Sequence, residues 1–143
     1  MVSPSAISPP RLVAWETTVA CNLACRHCRA EAVPNPLPGE LNWSESANLL
    51  KNLAKWSPPP MVILSGGEPL MRADILDLAA LGTSLGLRML LSTNGSLITS
   101  ELAKKIKAAG VARLSLSLDG PTAQEHDSFR RVTGSFESIF QGA

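Results

Sequence analysis

The sequence predicts an α/β protein built on a parallel sheet of about four strands, and three observations indicate this. Four short runs rich in Val, Ile and Leu are bounded by turn residues. Segments with the apolar period of a helix lie between the later runs, so that strand and helix alternate. The predicted strand ends at Ser65, Ser92 and Ser117 are 27 and 25 residues apart, close to the length of one βα unit.

The first predicted strand covers residues 12–18, and residues 19–42 follow it as a long loop without a strong helical period. Loops of this length inside a compact domain are often functional. Asn42 and Glu45 then form a capping-box pattern. We therefore predict a helix that begins there and ends before Pro58.

The later elements repeat this order. Further strands are predicted at 61–65, 88–93 and 113–118. Asp74 is the predicted start of a helix that ends at Gly86, and Thr99 is the predicted start of one that ends at Gly110. A fourth, weaker helix is predicted from Thr122.

Polar side chains occupy one face of the predicted strands. In the fourth strand region, Leu114, Leu116 and Leu118 alternate with Ser115, Ser117 and Asp119. Because a strand covered by helices on both sides is apolar on both faces, we expect the leucines to pack under helices and the polar face to line a cavity. A solvent-exposed face of an open sheet is the alternative.

The composition excludes several classes of protein. The chain has 143 residues and a net charge of +1, so it gives no electrostatic reason to expect a nucleic-acid partner. With 45% hydrophobic and 17% charged residues it is a folding chain rather than a disordered one. We expect residues 1–10 to be a disordered N-terminal extension. No run approaches the roughly 18 apolar residues of a membrane span, and the start lacks a secretory signal, which predicts a cytoplasmic protein.

The three cysteines lie together in the long loop. Cys21, Cys25 and Cys28 are close enough for one tight loop to bring the thiols around a single inorganic centre, and their odd number does not suit a disulfide framework. Soft thiolates select iron–sulfur clusters or zinc. A structural zinc ion requires four protein ligands, whereas a four-iron cluster on three cysteines leaves one iron open to a small chelating molecule. The cluster is therefore favoured over a zinc knuckle that borrows a distant ligand.

The other strand ends also carry polar or glycine-rich segments. They are Gly66-Gly67-Glu68-Pro69, Ser92-Thr93-Asn94-Gly95 and Ser117-Leu118-Asp119-Gly120. The carboxyl ends of parallel strands meet at the edge where α/β proteins place their sites. Paired glycines allow backbone to approach a ligand closely, and the carboxylate of Glu68 suits an ammonium group. The remaining hydroxyl, amide and carboxylate groups suit recognition of a ribose or an amino acid.

These motifs resemble those of the radical S-adenosylmethionine (SAM) superfamily. Its cysteine motif matches Cys21, Cys25 and Cys28, its glycine-rich motif matches residues 66–69, and its ribose region matches residues 117–120. Residues 126–130, His-Asp-Ser-Phe-Arg, are similar to a stretch common in the subfamily with extra clusters. Residues 14–18 and 28–32 most resemble the enzymes of haem d1 and alternative haem biosynthesis.

The resemblance implies a partial TIM barrel with a [4Fe–4S] cluster and SAM as cofactors. Such enzymes cleave SAM reductively into methionine and a 5′-deoxyadenosyl radical, which takes a hydrogen atom from the substrate. The resemblance assigns the cluster to the three cysteines, and SAM to Gly66, Gly67, Glu68, Pro69, Ser117 and Asp119, with Asn94, His27 and Arg130 as further candidates. It also implies a small-molecule substrate such as a tetrapyrrole, and an electron donor such as flavodoxin or ferredoxin.

The number of strands departs from the family pattern. Members of the superfamily have six βα units, whereas four strands are predicted here. We therefore expect residues 11–143 to be the N-terminal portion of a truncated radical SAM core domain, with a naturally split enzyme as the alternative. The alternative functions are a peptide-modifying radical SAM enzyme and a non-enzymatic iron–sulfur or zinc module.

Overall fold

Four parallel strands form one sheet in the computed structural model, which describes residues 8–142. The strands are β1 (Leu12–Glu16), β2 (Met61–Ser65), β3 (Arg88–Thr93) and β4 (Arg113–Leu116), and they lie side by side in chain order. The helices are α1 (Trp43–Leu53), α2 (Ile75–Ser84), α3 (Ser100–Ala108), α4 (Ala123–Arg130) and α5 (Ser135–Gly142). This architecture confirms the predicted α/β class and its four strands.

The register of the sheet brings the strand ends to a common edge. Glu16, the last residue of β1, pairs with Ser65, the last residue of β2. Thr93 at the end of β3 pairs with Leu116 at the end of β4. The loops that follow the four strands therefore leave the sheet at its carboxyl edge.

The core lies between the two central strands and the helices that cover them. Val62 and Leu64 of β2 and Met89 and Leu91 of β3 are buried, and they pack in one cluster with apolar residues of α1 and α2. The alternation of buried and partly exposed residues along β2 matches the period of a strand with two different faces. The partly exposed face of β2 carries Met61 and Ile63, followed by Ser65 at the end of the strand.

The predicted capping box at the start of α1 is confirmed. Asn42 Oδ1 accepts from the backbone amide of Glu45 at 3.1 Å, and Glu45 Oε2 accepts from the backbone amide of Asn42 at 2.9 Å. Thr99 likewise caps α3. Asp74 immediately precedes α2, as predicted, but its side chain does not cap the helix. Its carboxylate instead pairs with Arg72, 2.6 Å from Nε, and makes no hydrogen bond to the helix.

Helix α5 was not predicted from the sequence, and its start depends on a carboxylate from the preceding helix. Asp127 in α4 accepts hydrogen bonds from the Gly134 amide at 2.6 Å, the Ser135 hydroxyl at 2.8 Å and the Phe136 amide at 2.8 Å. Asp127 lies eight residues before Ser135, the first residue of α5. A capping residue immediately before the helix, which is the usual sequence signal for a helix start, is therefore not what holds this end of α5.

The prediction that the leucines of the fourth strand pack under helices is wrong in part. β4 ends at Leu116, two residues earlier than predicted. Leu114 is 36% and Leu118 is 52% exposed, while Leu116 is partly buried. Within the part of the chain that the structure describes, β4 pairs only with β3, so its other flank has no neighbour to bury it.

The predicted N-terminal extension over residues 1–10 falls mostly outside the described residues, since 1–7 are not among them. Residues 8–10 have no regular secondary structure. Between residues 8 and 142, none of the helices has the length and apolar character that crossing a bilayer requires.

Candidate cofactor site

An open pocket of about 370 Å³ lies at the carboxyl edge of the sheet. The predicted site residues that line it are Cys21, Cys25, His27, Cys28, Gly66, Gly67, Asn94, Ser117 and Arg130. Glu16, Ser65 and Ser92 also line it, which agrees with the polar cavity predicted from the strand pattern. The predicted residues Glu68, Pro69 and Asp119 are outside the lining.

The cysteine loop is pinned where it enters and leaves the sheet edge. The Cys21 amide donates to the Val33 carbonyl at 2.8 Å, and the Val33 amide donates back to the Val19 carbonyl at 3.2 Å. Between these points the loop carries all three thiols, each free and partly buried. The two ends are therefore fixed while the sulfurs face the pocket.

Burial raises the pKa of the Cys21 thiol, and the carboxylate of Glu68 and the thiol of Cys25 raise it further. A thiol must lose its proton to bind iron. Iron held by these cysteines would supply positive charge that favours the thiolate of Cys21.

The paired glycines approach the backbone of the cysteine loop more closely than any side chain allows. A Cβ on Gly66, which has φ of +130°, would lie 2.3 Å from the Thr18 carbonyl oxygen. A Cβ on Gly67 would lie 2.3 Å from the Ala20 carbonyl oxygen. The Gly67 amide donates to the Thr18 carbonyl at 2.7 Å, so the turn after β2 and the start of the cysteine loop form one packed unit.

The carboxylate of Glu68, which is predicted to receive an ammonium group, is bonded to donors of the protein. The residue is fully buried, and Oε1 accepts from the Thr93 hydroxyl at 2.7 Å and from the Leu70 amide at 3.0 Å. Oε2 accepts from the Asn94 amide at 2.8 Å. Burial raises the pKa of this carboxyl, although the hydrogen bonds oppose that rise. Glu68 thus joins the turn after β2 to the end of β3, behind the pocket wall.

Pro69 is also buried, and it begins a 3₁₀ turn at Pro69–Met71 that Glu68 caps. Its fixed φ suits that first position. Its place is therefore in the support of the glycine turn, not in the pocket lining.

Asn94 belongs to a ring of three side-chain hydrogen bonds that was not predicted from the sequence. Its Nδ2 donates to Asn22 Oδ1 at 2.9 Å, Asn22 Nδ2 donates to Ser96 Oγ at 2.8 Å, and Ser96 Oγ donates to Asn94 Oδ1 at 2.7 Å. The ring ties the residue after Cys21 to the loop after β3. The only signal in the sequence was that both loops follow strand ends.

Asp119, which is predicted as a ribose or carboxylate ligand, is not among the residues that line the pocket. Its Oδ2 accepts from Arg130, with Nε at 2.5 Å and Nη2 as a second donor. Ser117 does line the pocket, and its hydroxyl donates to the Thr93 carbonyl at 3.4 Å. The alternation along this segment is therefore interrupted after β4, where the chain turns to bring Asp119 to α4.

His27 is exposed at the pocket and stacks on Phe129, with ring centroids 4.5 Å apart and an interplanar angle of 14°. Arg130, the next residue of α4, is 7% exposed and reaches the pocket with its guanidinium. The C-terminal end of α4 thus supplies both a ring platform and a positive charge to the cysteine loop.

Comparison with known protein families identifies the superfamily of this chain. The sequence pattern of the Radical SAM superfamily matches residues 15–143. This chain is a member of the radical SAM superfamily. The match includes the cysteine loop, the glycine turn and the segment after β4.

Two curated relatives and one solved structure illustrate the similarity. The AdoMet-dependent heme synthase of Oleidesulfovibrio alaskensis is 51% identical over 132 residues, which are 92% of this chain and 34% of the relative. The pre-heme d1 synthase of Dinoroseobacter shibae is 35% identical over 135 residues, 94% of this chain and 33% of the relative. Streptococcus suis SuiB bound to S-adenosylmethionine superposes with a TM-score of 0.73 at 20% identity, over 87% of this chain and 29% of SuiB.

These comparisons confirm the radical SAM fold and the resemblance to haem-pathway enzymes. The chain spans about a third of the length of the curated relatives it matches.

The pocket of this radical SAM chain carries a donor set that fits a four-iron cluster. Cys21, Cys25 and Cys28 supply three soft thiol ligands at one pocket, and in such a cluster each cysteine binds a different iron. Three cysteines leave one iron of the cluster open to a small chelating ligand.

Proposed function

We propose that this chain is the N-terminal, cofactor-binding portion of a radical SAM enzyme of tetrapyrrole biosynthesis, in the formation of haem or haem d1. One observation carries the proposal. A single pocket joins the three thiols of Cys21, Cys25 and Cys28 to the glycine turn and to Arg130. On this proposal residues 11–143 are the first part of the radical SAM core domain.

The three cysteines would hold a [4Fe–4S] cluster, and the neighbouring pocket would hold SAM. Together, when bound, these groups supply a 5′-deoxyadenosyl radical for hydrogen abstraction. The backbone of Gly66 and Gly67 would receive the amino-acid end of SAM, and its position in the pocket lining beside the cysteine loop supports this. The stacked ring of His27 offers a face for the adenine, and the Ser117 hydroxyl is available to the ribose or carboxylate.

The substrate class is proposed from the names of the relatives. Two enzymes named as a heme synthase and a pre-heme d1 synthase share 51% and 35% of their aligned residues with this chain. We infer a tetrapyrrole substrate and an electron donor such as flavodoxin or ferredoxin. A reducing compartment such as the cytoplasm suits the three free thiols, which must stay reduced to bind iron.

Anaerobic reconstitution with iron and sulfide tests the cofactor assignment. We expect about four irons per chain and visible cluster absorbance, followed by SAM binding in equilibrium dialysis. Replacing the three cysteines by alanine should abolish both, whereas Lys104→Ala, on the exposed face of α3, should change neither. Iron retained by the triple cysteine variant would refute the assignment.

The substrate class is tested in the longer enzyme of which this chain is proposed to be a portion, by measuring 5′-deoxyadenosine formation with SAM and dithionite. We expect a porphyrin that carries carboxylate side chains to stimulate the reaction. Stimulation by a peptide, with none by the porphyrin, would replace the tetrapyrrole assignment with a peptide-modifying enzyme of the same superfamily.

A further inference from the structure

We infer that Arg130 is a positioning residue that sets the reduction potential of the cluster through the sulfur of Cys25. Its Nη1 lies 3.3 Å from Cys25 Sγ, within hydrogen-bond distance for a sulfur acceptor. The inference rests on the proposed function, because it requires Cys25 to bind a cluster. It adds a role that neither the family match nor the relatives' names assign.

The three sulfurs differ in what donates to them. Cys21 Sγ accepts from the Leu23 backbone amide at 3.4 Å and from Asn94 Nδ2 at 3.9 Å, and Cys28 Sγ accepts from the Ala32 backbone amide at 3.4 Å, so the donors to these two sulfurs are neutral. Cys25 Sγ accepts from a charged side chain that is 105 residues away in the sequence. Among residues 8–142, the donor to Cys25 is therefore charged, whereas the donors to the other two sulfurs are not.

The guanidinium is held so that one edge is free for the sulfur. Asp119 takes Nε and Nη2, which leaves Nη1 directed at Cys25. Asp119 is itself fixed, because its amide donates to Nδ1 of buried His126 at 3.1 Å. His126 and Arg130 are four residues apart on α4, so both sides of the ion pair are set by one face of that helix.

The backbone of α4 is attached to the cysteine loop on either side of the contact. The Ala24 amide donates to the Arg130 carbonyl at 3.3 Å, and the Arg26 amide donates to the Phe129 carbonyl at 3.0 Å. These two bonds flank Cys25 in the sequence. The distance between the guanidinium and Cys25 Sγ is therefore fixed by the backbone as well as by Asp119.

A buried cation that donates to a cluster ligand favours the reduced cluster, which carries one more negative charge. Arg130 should therefore raise the reduction potential. The carboxylate of Asp119 lies on the far side of the guanidinium and should lower the potential by offsetting part of its charge. The two partners of one ion pair thus have opposite predicted effects.

The test is a redox titration of the reconstituted chain, with the reduced cluster followed by electron paramagnetic resonance. Arg130→Gln should shift the one-electron equilibrium away from the reduced form about tenfold, which is about 59 mV. Asp119→Asn keeps an oxygen acceptor for Arg130 and should shift the equilibrium about twofold to fivefold toward the reduced form. Arg130→Lys, which keeps the charge, should restore most of the wild-type potential.

Arg131→Asn is the matched control, because it removes the same charge from the next residue, which is exposed, and asparagine tolerates its left-handed φ of 58°. It should leave the potential unchanged. Shifts of the same sign in Arg130→Gln and Asp119→Asn would mean that the pair only supports the loop, and would overturn the inference. If Arg130→Gln binds no iron, Asp119→Asn decides alone, and an unchanged or lowered potential refutes the inference. A wild-type chain without a cluster would instead refute the proposed function.

Discussion

The two halves of the cofactor pocket are held together by different kinds of contact. In the first half, the glycine turn after β2 lies directly on the backbone that leads into the cysteine loop. In the second half, Ser117 and Asp119 follow a short edge strand, and an ion pair between Asp119 and Arg130 connects that segment to α4. The glycine turn is therefore fixed by main-chain contact, whereas the segment after β4 is joined to α4 by a contact between side chains.

This difference indicates which half of the pocket can tolerate substitutions without loss of the fold. Backbone packed on backbone leaves no space to adjust, so a change of one methyl group must displace the chain. A contact between side chains can be changed by a substitution such as Asp119→Asn, which keeps the shape of the side chain and leaves the backbone in place. We therefore expect changes in the first half to affect the fold, and changes in the second half to affect mainly the properties of the site.

The largest effect is expected for Gly67→Ala. The new Cβ would lie 2.3 Å from the Ala20 carbonyl oxygen and 2.6 Å from the Val19 carbonyl oxygen, so the cysteine loop has to move. We expect a loss of about 4 kcal/mol or more in the free energy of unfolding, measured by urea denaturation.

Gly39→Ala is the control for this prediction, because Gly39 has φ of +95° but no atom within 4 Å of the place where the new methyl group would lie. It should cost only the left-handed strain of alanine, about 1–2 kcal/mol. Equal losses in the two variants would contradict the view that backbone contact fixes the first half.

The next effect compares equivalent truncations in β2 and β4. Leu64 is fully buried in the core, so Leu64→Ala should cost about 2–5 kcal/mol. Leu116 is only partly buried at the edge strand, and Leu116→Ala should cost about 1 kcal/mol. Urea denaturation of both variants measures the difference, and a larger loss for Leu116→Ala would show that the edge strand is better packed than the structure indicates.

The sequence predicted the site better than it predicted how the site is supported. The cysteine loop, the glycine turn and the strand ends could be located because each follows a local run of apolar residues and because the parallel order brings such ends together. The roles of Glu68 and Asp119 could not be found this way. Each carboxylate is directed by contacts with another element, to Asn94 in one case and to Arg130 in the other, and sequence spacing carries no sign of those contacts.

A smaller effect is expected for Glu68→Gln. The side-chain nitrogen of glutamine cannot accept a hydrogen bond from the backbone amide of Asn94, so this buried donor loses its partner. We expect the free energy of unfolding to fall by about 1–3 kcal/mol. The cost should depend on pH. Because burial raises the pKa of Glu68 in the fold, the wild type loses stability as pH rises from the ordinary glutamate pKa of about 4.3 through the raised value.

The glutamine variant lacks this titration, so its deficit relative to wild type should be largest in acid and should shrink toward neutral pH. Denaturation curves of both proteins between about pH 4 and pH 8 measure this trend. A deficit that grows toward neutral pH would mean that the Glu68 carboxylate is stabilised by its three donors more than burial disfavours it.

The smallest effect is expected for Asp127→Asn, which tests the support of the second half without touching the pocket. The hydrogen bond from the Phe136 amide, together with those from Gly134 and Ser135, lowers the pKa of Asp127 in the fold. A carboxyl with a lowered folded pKa contributes stability above its ordinary pKa of about 3.9, and that contribution is lost as pH falls through the folded value. The variant should therefore melt slightly below the wild type at pH 7, and the two melting temperatures should converge below about pH 4.

Hydrogen exchange of the Asp127→Asn variant at pH 7 should be faster in α5 and unchanged at the backbone amides of Gly67 and Glu68, because those amides donate to backbone carbonyls in the other half. Faster exchange at both places would show that the two halves open as one unit, and that the division between backbone-held and side-chain-held regions does not extend to their dynamics.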